Sequence, residues 1–573
     1  MTEILKKPSR SSLILLFILV VVGASLRLIN LEQSSFWVEE VKHVYGAKSF
    51  LENGEFALPS GLEYKRALPF TFLVSVSFKL FGINEFSARL PSAIFGTLSI
   101  LLVFFVGKGL FNERVGLIAA LFLTFLPWEI GWSRVCRMYT MFQFLFLAGI
   151  YTFYKGFESD SPVWKLNFLG KSKIAEWINA WSIDWRWLIL SGLILLASLG
   201  VHRITGLFFL SVLIYLFLMF LITAFTNGLA SALKSKYLGL FVFLTGFAGL
   251  VLFAVPGLLQ EIIDLANFYP YWYELLGPRH NLYYLHIIVS EMKFPIGVLF
   301  LIGAIHAALR LNKTCFFLLI CFGIPFFMHS FIFAMKSDKY IFNIFPLYLL
   351  VAAYGLSNII GSEMERVQHL LAKLKSVKVL SALVNERNIK ILVYMIFFAW
   401  LPVSRWFFNA FELPTIRSGS GHLGGSYTNG AVTHRDWREA CQYVDNLDED
   451  QDVIITTHSL NIFYYLNKVN FVLYRGDLDE IQKYNKTSED GLSLEPFVDA
   501  KYIDSLTTLK QIMQQNKRGW LILDKLRFNK DVYIQREIAD FIRENMDQHK
   551  TGADGTIYVF SWDRAPSDTV SRM

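Results

Sequence analysis

Charge is scarce in this chain. Only 18% of its 573 residues are Asp, Glu, Lys or Arg, against 54% hydrophobic, too apolar at this length for a single soluble domain. Cysteine is scarcer still. Cys136, Cys315, Cys321 and Cys441 show no disulfide or zinc spacing, and Cys315 and Cys321 share one apolar run, as packing residues do. No glycine-rich phosphate loop opens a helix, so no nucleotide site is expected. No internal repeat of the kind common in secondary transporters is visible. The net charge of +7 is modest and sits in short loops, which does not suit nucleic-acid binding.

What the chain does have is long apolar runs. The first, 13–29, follows Lys6, Lys7 and Arg10. Gly23-Ala24-Ser25 would suit signal cleavage, but the run is near the ~20 residues that span a bilayer and more such runs follow. It reads as a retained first helix with its basic end inside. Further runs cover 88–107, 115–128, 138–154, 187–200, 204–224, 237–256, 287–309, 314–334, 340–360 and 390–409, giving about eleven transmembrane helices in all. The segment 68–83 is short and holds Lys79. If it does not cross, the basic loops at Lys108/Arg114, Lys155–Lys173, Lys234/Lys236, Arg310/Lys313 and Arg366–Arg387 all share the side of the N-terminus. It therefore reads as an amphipathic helix on the outer surface.

The predicted architecture is an α-helical polytopic membrane domain over 1–410, with a first outside loop at 30–87 that holds the active-site carboxylates. A glycine-rich linker, 411–434, leads to an extracytoplasmic α/β domain over 435–573. There, helix-like segments at 435–447, 505–515 and 533–545 alternate with β-rich runs at 452–457, 469–474, 519–524 and 556–562, a pattern that predicts a largely parallel sheet. The N-terminus is expected on the cytoplasmic side.

Chemistry points to Phe36-Trp37-Val38-Glu39-Glu40, at the start of the first outside loop. Aromatic rings favour the headgroup level, so Glu39 and Glu40 should lie where a lipid-linked substrate presents its polar head. An acidic pair in itself is an ordinary solvated turn or helix start. Placed here, one carboxylate can take a proton from a hydroxyl. The other can orient it, hold the acceptor, or share a divalent cation. No cofactor is fixed by the sequence; Mg²⁺ or Mn²⁺ is the one candidate. Basic groups recur beside aromatics on the same side: Lys65 and Arg66; Arg134 and Arg137 with Tyr139; His202 and Arg203; Lys336 and Lys339 with Tyr340. Each taken singly is a snorkelling anchor. Together they suit a leaving phosphate, whose charge grows in the transition state. Arg89 either anchors the next helix or contacts a phosphate, and Pro91 is expected in that helix's first turn. Ionisable residues gather at the outer ends of the runs, which favours interface chemistry over transport.

The same residues carry a family resemblance. The stretches FSARLPSAIFGTLSILLVFFVGKGLFNERVGLIAALFL, SRVCRMYTMFQF, HRITGLFFL and KSDKYIFNIFPLYLLVAAYGL resemble the GT-C membrane glycosyltransferases that use polyprenyl-phosphate sugars. The nearest groups are the protein O-mannosyltransferase and lipid A aminoarabinose transferase families. The resemblance implies inverting transfer of a sugar from a polyprenyl-phosphate donor to a hydroxyl of a protein, lipid or envelope glycan. It places that transfer on the extracytoplasmic face of the plasma or inner membrane. It implies Glu39 as base, Glu40 in support, and the phosphate on Arg137 and Lys336 with Lys65 or Arg203. The family carries Asp-Glu where this chain has Glu39-Glu40, a reach longer by one methylene, and Pro-Pro-Leu where it has Ala67-Leu68-Pro69. Two other readings stay open: a transporter or flippase of lipid-linked sugars, and a non-catalytic homologue.

Overall fold

The computed structural model describes residues 7–158, 181–268, 281–291, 294–374, 435–449, 451–474, 486–531, 533–549 and 555–563. It is a mostly helical membrane protein with a C-terminal mixed-sheet domain. The N-terminal half comprises α1 (Arg10–Leu28), α2 (Val38–Asn53), α3 (Leu68–Phe81), α4 (Glu85–Leu110), α5 (Glu113–Phe125), α6 (Pro127–Ser133) and α7 (Tyr139–Phe157). Apolar helices at Trp185–Val201, Gly206–Asn227, Lys236–Ala254, Phe294–Leu309 and Lys313–Phe327 follow, and then the long helix Phe345–Leu374.

Among the described residues, 6 helices are long and apolar enough to cross a membrane, or up to 7 if the bent pair α5–α6 is one span. That is fewer than the eleven expected. Trp185–Val201 and Pro295–Leu309 are apolar but short. In α7, Thr140, Gln143, Thr152 and three tyrosines dilute the run. The expected span at 390–409 and the linker 411–434 lie outside the described residues. The α5–α6 bend of 64° falls at Pro127, which has no N–H to continue the helix ladder.

α3 is too short to cross, at 14 residues or about 21 Å. Phe72, Val76, Leu80 and Phe81 are exposed, whereas Thr71, Ser75 and Ser77 are buried. One of those inward hydroxyls has a specific task. Pro91 lies in the second turn of α4 rather than the first, so it leaves the Ser87 carbonyl without its helical donor. Ser77 Oγ donates to that carbonyl at 2.6 Å, tying α3 to α4.

The C-terminal domain has six strands: β1 (Val453–Thr456), β2 (Phe471–Leu473), β3 (Lys501–Ile503), β4 (Arg518–Asp524), β5 (Asp547–His549) and β6 (Ile557–Asp563). Their order is β3-β2-β1-β4-β6-β5. The first four pair in parallel and the last two antiparallel, so the sheet is mixed rather than largely parallel. Side chains alternate between two cores: Val453, Ile455, Leu521 and Leu523 on one face, Ile454, Trp520 and Ile522 on the other. Helix Ser459–Leu466 leaves β1 and sends Leu460 into the core of the membrane domain. It is the joint between the two parts.

Candidate active site

Glu39 and Glu40 occupy the first turn of α2. Neighbouring residues of an α-helix diverge by about 100°, so the pair cannot face one way. The structure separates them.

Glu40 points into the protein and is 0% exposed. Arg89 Nε and Nη2 donate to its two oxygens at 2.9 and 3.0 Å, a bidentate pairing. The Cys136 N–H donates to Oε1 at 2.6 Å and the Trp37 N–H to Oε2 at 2.8 Å. Arg89 also donates to the carbonyls of Leu31, Ser34 and Ser35 at 2.8–3.0 Å. Of the two roles open to Arg89, it takes the anchoring one. Glu40 is thereby the pin that joins α2, α4, the 31–35 segment and the 134–137 turn.

Glu39 points the other way, its side chain 29% exposed. Arg137, itself fully buried, holds it twice: Nη2 lies 2.8 Å from Oε2 and Nη1 donates to the Glu39 carbonyl at 2.9 Å. Lys339 Nζ donates to both carboxylate oxygens at 3.2 and 3.3 Å. Burial works against the charge of Glu39, but Lys339, Arg137 and Arg66 outweigh it and hold the carboxyl well below the usual range. Reciprocally, Glu39 overcomes burial to raise Lys339. Tyr139 and Tyr340 complete the wall. The Arg137 guanidinium lies 5.5 Å from the Tyr139 ring, and Lys339 lies 5.8 Å from the ring of Tyr340. Arg66 is exposed and has no carboxylate partner among the described residues.

The other predicted residues go elsewhere. Arg134 donates to the carbonyls of Leu26, Arg27, Ile29 and Asn30 at 2.8–3.3 Å, capping the end of α1. Lys336 donates to the carbonyls of His329, Ser330 and Phe333 at 2.7–3.2 Å, capping the helix that ends there. Both follow the general need of helix ends for donors. His202 stacks on Phe142, and its Nδ1 accepts the Ile204 N–H at 3.2 Å. Burial and the charges of Arg66, Arg137 and Lys339 push it down to about 3, so it is neutral and adds no positive charge. Lys65 pairs with Glu63 on the surface at 2.8 Å, and Arg203 is exposed at the start of a short turn.

The residues present do not fit a divalent cation. Among the described residues no three His, Cys, Asp or Glu side chains converge. The Glu39 oxygens face Arg137 and Lys339, and the Glu40 oxygens face Arg89, where a shared ion would have to sit. Cationic side chains supply the positive charge here.

The C-terminal domain grips the segment just before Glu39. Tyr465 Oη accepts the Phe36 N–H at 2.9 Å and donates to Glu85 at 2.8 Å. Asn461 Nδ2 donates to the Phe36 carbonyl at 2.8 Å. Tyr464 meets the Phe36 ring edge-on at 5.0 Å, and Arg438 pairs with Glu85. Nothing in the sequence pattern singled out these residues, because their partners are hundreds of positions away.

Residues 65–170 match the family described as dolichyl-phosphate-mannose-protein mannosyltransferase. No curated protein sequence matches the chain. Among solved structures, ArnT from Cupriavidus metallidurans bound to undecaprenyl phosphate aligns with a TM-score of 0.56 and 13% identity, over 97% of this chain and 98% of that one. AglB, an archaeal oligosaccharyltransferase from Archaeoglobus fulgidus, in complex with an inhibitory peptide and a dolichol-phosphate, aligns at 0.54 and 12% identity, over 98% of this chain and 75% of that one. The Archaeoglobus fulgidus oligosaccharyltransferase in complex with Zn and sulfate aligns at 0.52 and 12% identity, over 94% of this chain and 72% of that one. The chain thus has an ArnT-like fold, a helical membrane part followed by a C-terminal mixed-sheet domain.

Proposed function

We propose that this protein transfers a sugar from a polyprenyl-phosphate donor to a hydroxyl acceptor, with inversion at the anomeric carbon, on the extracytoplasmic face of the membrane. The observation that carries the reading is the part-exposed Glu39 carboxylate, held by Arg137 and Lys339 with Arg66 open beside it. The undecaprenyl phosphate and dolichol-phosphate in the ArnT and AglB structures support a lipid phosphate as the donor's carrier.

The acceptor oxygen attacks the anomeric carbon while the bond from that carbon to the phosphate oxygen breaks, its electron pair leaving with the polyprenyl phosphate. The acceptor proton passes to Glu39. A carboxyl held this low is a weak base towards a resting hydroxyl. Its work is to orient the hydroxyl, take the proton late, once the attacking oxygen has become acidic, and stabilise the positive, oxocarbenium-like centre. Arg66, whose charge already reaches Glu39, receives the phosphate's growing charge. Glu40 supports Glu39 from beneath by fixing the helix start. Arg134, Lys336 and His202 take no part in this mechanism, because their polar groups serve helix ends.

The test is release of labelled sugar from polyprenyl-phosphate donors by the full chain in lipid vesicles. Transfer to an acceptor by wild type, lost in Glu39→Gln, supports the reading. Movement of intact donor between leaflets without sugar release would replace it with the flippase reading.

A further inference from the structure

We propose that Lys42 binds an anionic group of the substrate, a phosphate or carboxylate, at the seam between the membrane and C-terminal domains. The inference rests on the glycosyltransferase reading and deepens it. Lys42 follows Glu39 by three positions, so the two lie on one face of α2. Its ammonium sits 4.2 Å from the centre of the Phe497 ring, which belongs to the C-terminal domain.

The carboxylates near Lys42 are committed to other groups. Glu39 pairs with Arg137 and Lys339. Glu495 accepts Ser459 Oγ at 2.7 Å with one oxygen and the N–H groups of Phe497 and Val498 at 3.0 and 2.9 Å with the other. Lys42 makes no ion pair or hydrogen bond with the described residues, and burial lowers its pKa. A ring face compensates an ammonium less well than hydrogen-bonding oxygens do. The seat is built rather than incidental: Ser60 of the membrane domain donates its N–H to the Phe497 carbonyl at 3.0 Å and its hydroxyl to the Pro496 carbonyl at 2.6 Å. Arg66, whose charge also reaches Lys42 and Glu39, offers a second cation to the same anion.

The anion has two possible sources, the phosphate of the donor or an acidic group on the acceptor, and the experiment separates them. Donor and acceptor KM are measured on the full chain in nanodiscs for wild type, K42M, K42R and F497L. If Lys42 holds the donor phosphate, K42M raises the donor KM about tenfold or more, kcat stays within about twofold, and K42R restores binding. If it holds an acceptor anion, the acceptor KM rises instead. KM values unchanged for both substrates, or a fall in kcat alone, overturn the proposal. The melting temperature of K42M should match or exceed that of wild type, because an uncompensated ammonium has been removed; a large drop would mean a structural lysine and also overturns it. A second arm does not depend on turnover. Undecaprenyl phosphate and inorganic phosphate are each tested for stabilisation of wild type and K42M. A smaller shift in K42M for either probe supports Lys42 as an anion ligand even if no sugar is transferred, which would fault the proposed function alone. Equal shifts in both proteins count against Lys42.

Discussion

Two glutamates lie between cations near opposite ends of α7, Glu158 at its C-cap and Glu39 of α2 beside Arg137 at its start, and they behave differently. At the C-terminal end Glu158 is 3% exposed. It accepts from Tyr215 at 2.7 Å and Tyr237 at 3.4 Å and pairs with Lys236 at 3.2 Å and with Lys313. Those partners come from three other helices, so Glu158 ties the bundle together. Near the N-terminal end, about 28 Å away along the helix axis, Glu39 is part-exposed. Beyond its two partners it has Arg66 and Lys42 close by, neither with a carboxylate of its own among the described residues. A carboxylate between two lysines does not by itself mark a reactive centre. Solvent access and a surplus of uncommitted positive charge do, because they leave something for a substrate to complete.

Substitutions at the two ends should therefore separate chemistry from stability. The largest effect is expected from Glu39→Gln: sugar transfer falls by about 10²–10⁴-fold, and the melting temperature falls less than in Glu40→Gln, because the amide oxygen can still accept from Arg137. Glu158→Gln should do the reverse, lowering the melting temperature and the yield of folded protein while leaving turnover per folded molecule intact. Next is Arg89→Met, which leaves the Glu40 carboxylate buried and unpaired. It should destabilise the fold by about 3–5 kcal/mol, measured by thermal or denaturant unfolding in detergent.

Lys339→Met sharpens the comparison through pH. The ionised form of Glu39 is present above its pKa and is lost only as pH falls through it. With that pKa depressed, wild-type kcat/KM should show no acid limb from Glu39 in the usual carboxylate range. Without Lys339 the pKa rises, so an acid limb should appear there. A smaller effect is expected from Tyr465→Phe, which removes the hydroxyl shared between the Phe36 N–H and Glu85. It should cost about 1 kcal/mol of stability and reduce kcat more than donor KM, because it loosens the segment that carries Glu39. The smallest belongs to Lys65→Ala, whose pair with Glu63 is exposed on both sides; stability and activity should shift by no more than about 0.5 kcal/mol.

The sequence shows the acidic pair, Arg137, Lys339 and the positions of most helices, because apolar runs and aromatic-flanked charges are local signals. It does not show which cations face Glu39. Arg134 and Lys336 look like phosphate ligands in one dimension, yet their acceptors are backbone carbonyls, which every sequence offers. Arg89 meets Glu40 across 49 positions and Lys339 meets Glu39 across 300. Only the α2 spacing could have been read further, since adjacent helical residues point apart and residues three apart share a face; that alone divides Glu39 from Glu40 and brings in Lys42. In the C-terminal domain β3 and β5 have three residues each, and Asp547-Gln548-His549 has no apolar pattern to announce a strand.

The central claim is that Glu39 performs the chemistry while Glu40 holds the fold. It is tested most directly by measuring sugar transfer and melting temperature together for wild type, Glu39→Gln and Glu40→Gln. The account predicts lost transfer with little change in melting temperature for Glu39→Gln, and a clearly larger fall in melting temperature for Glu40→Gln. Full transfer by Glu39→Gln, or a Glu40→Gln protein as stable as wild type but inactive, would contradict it.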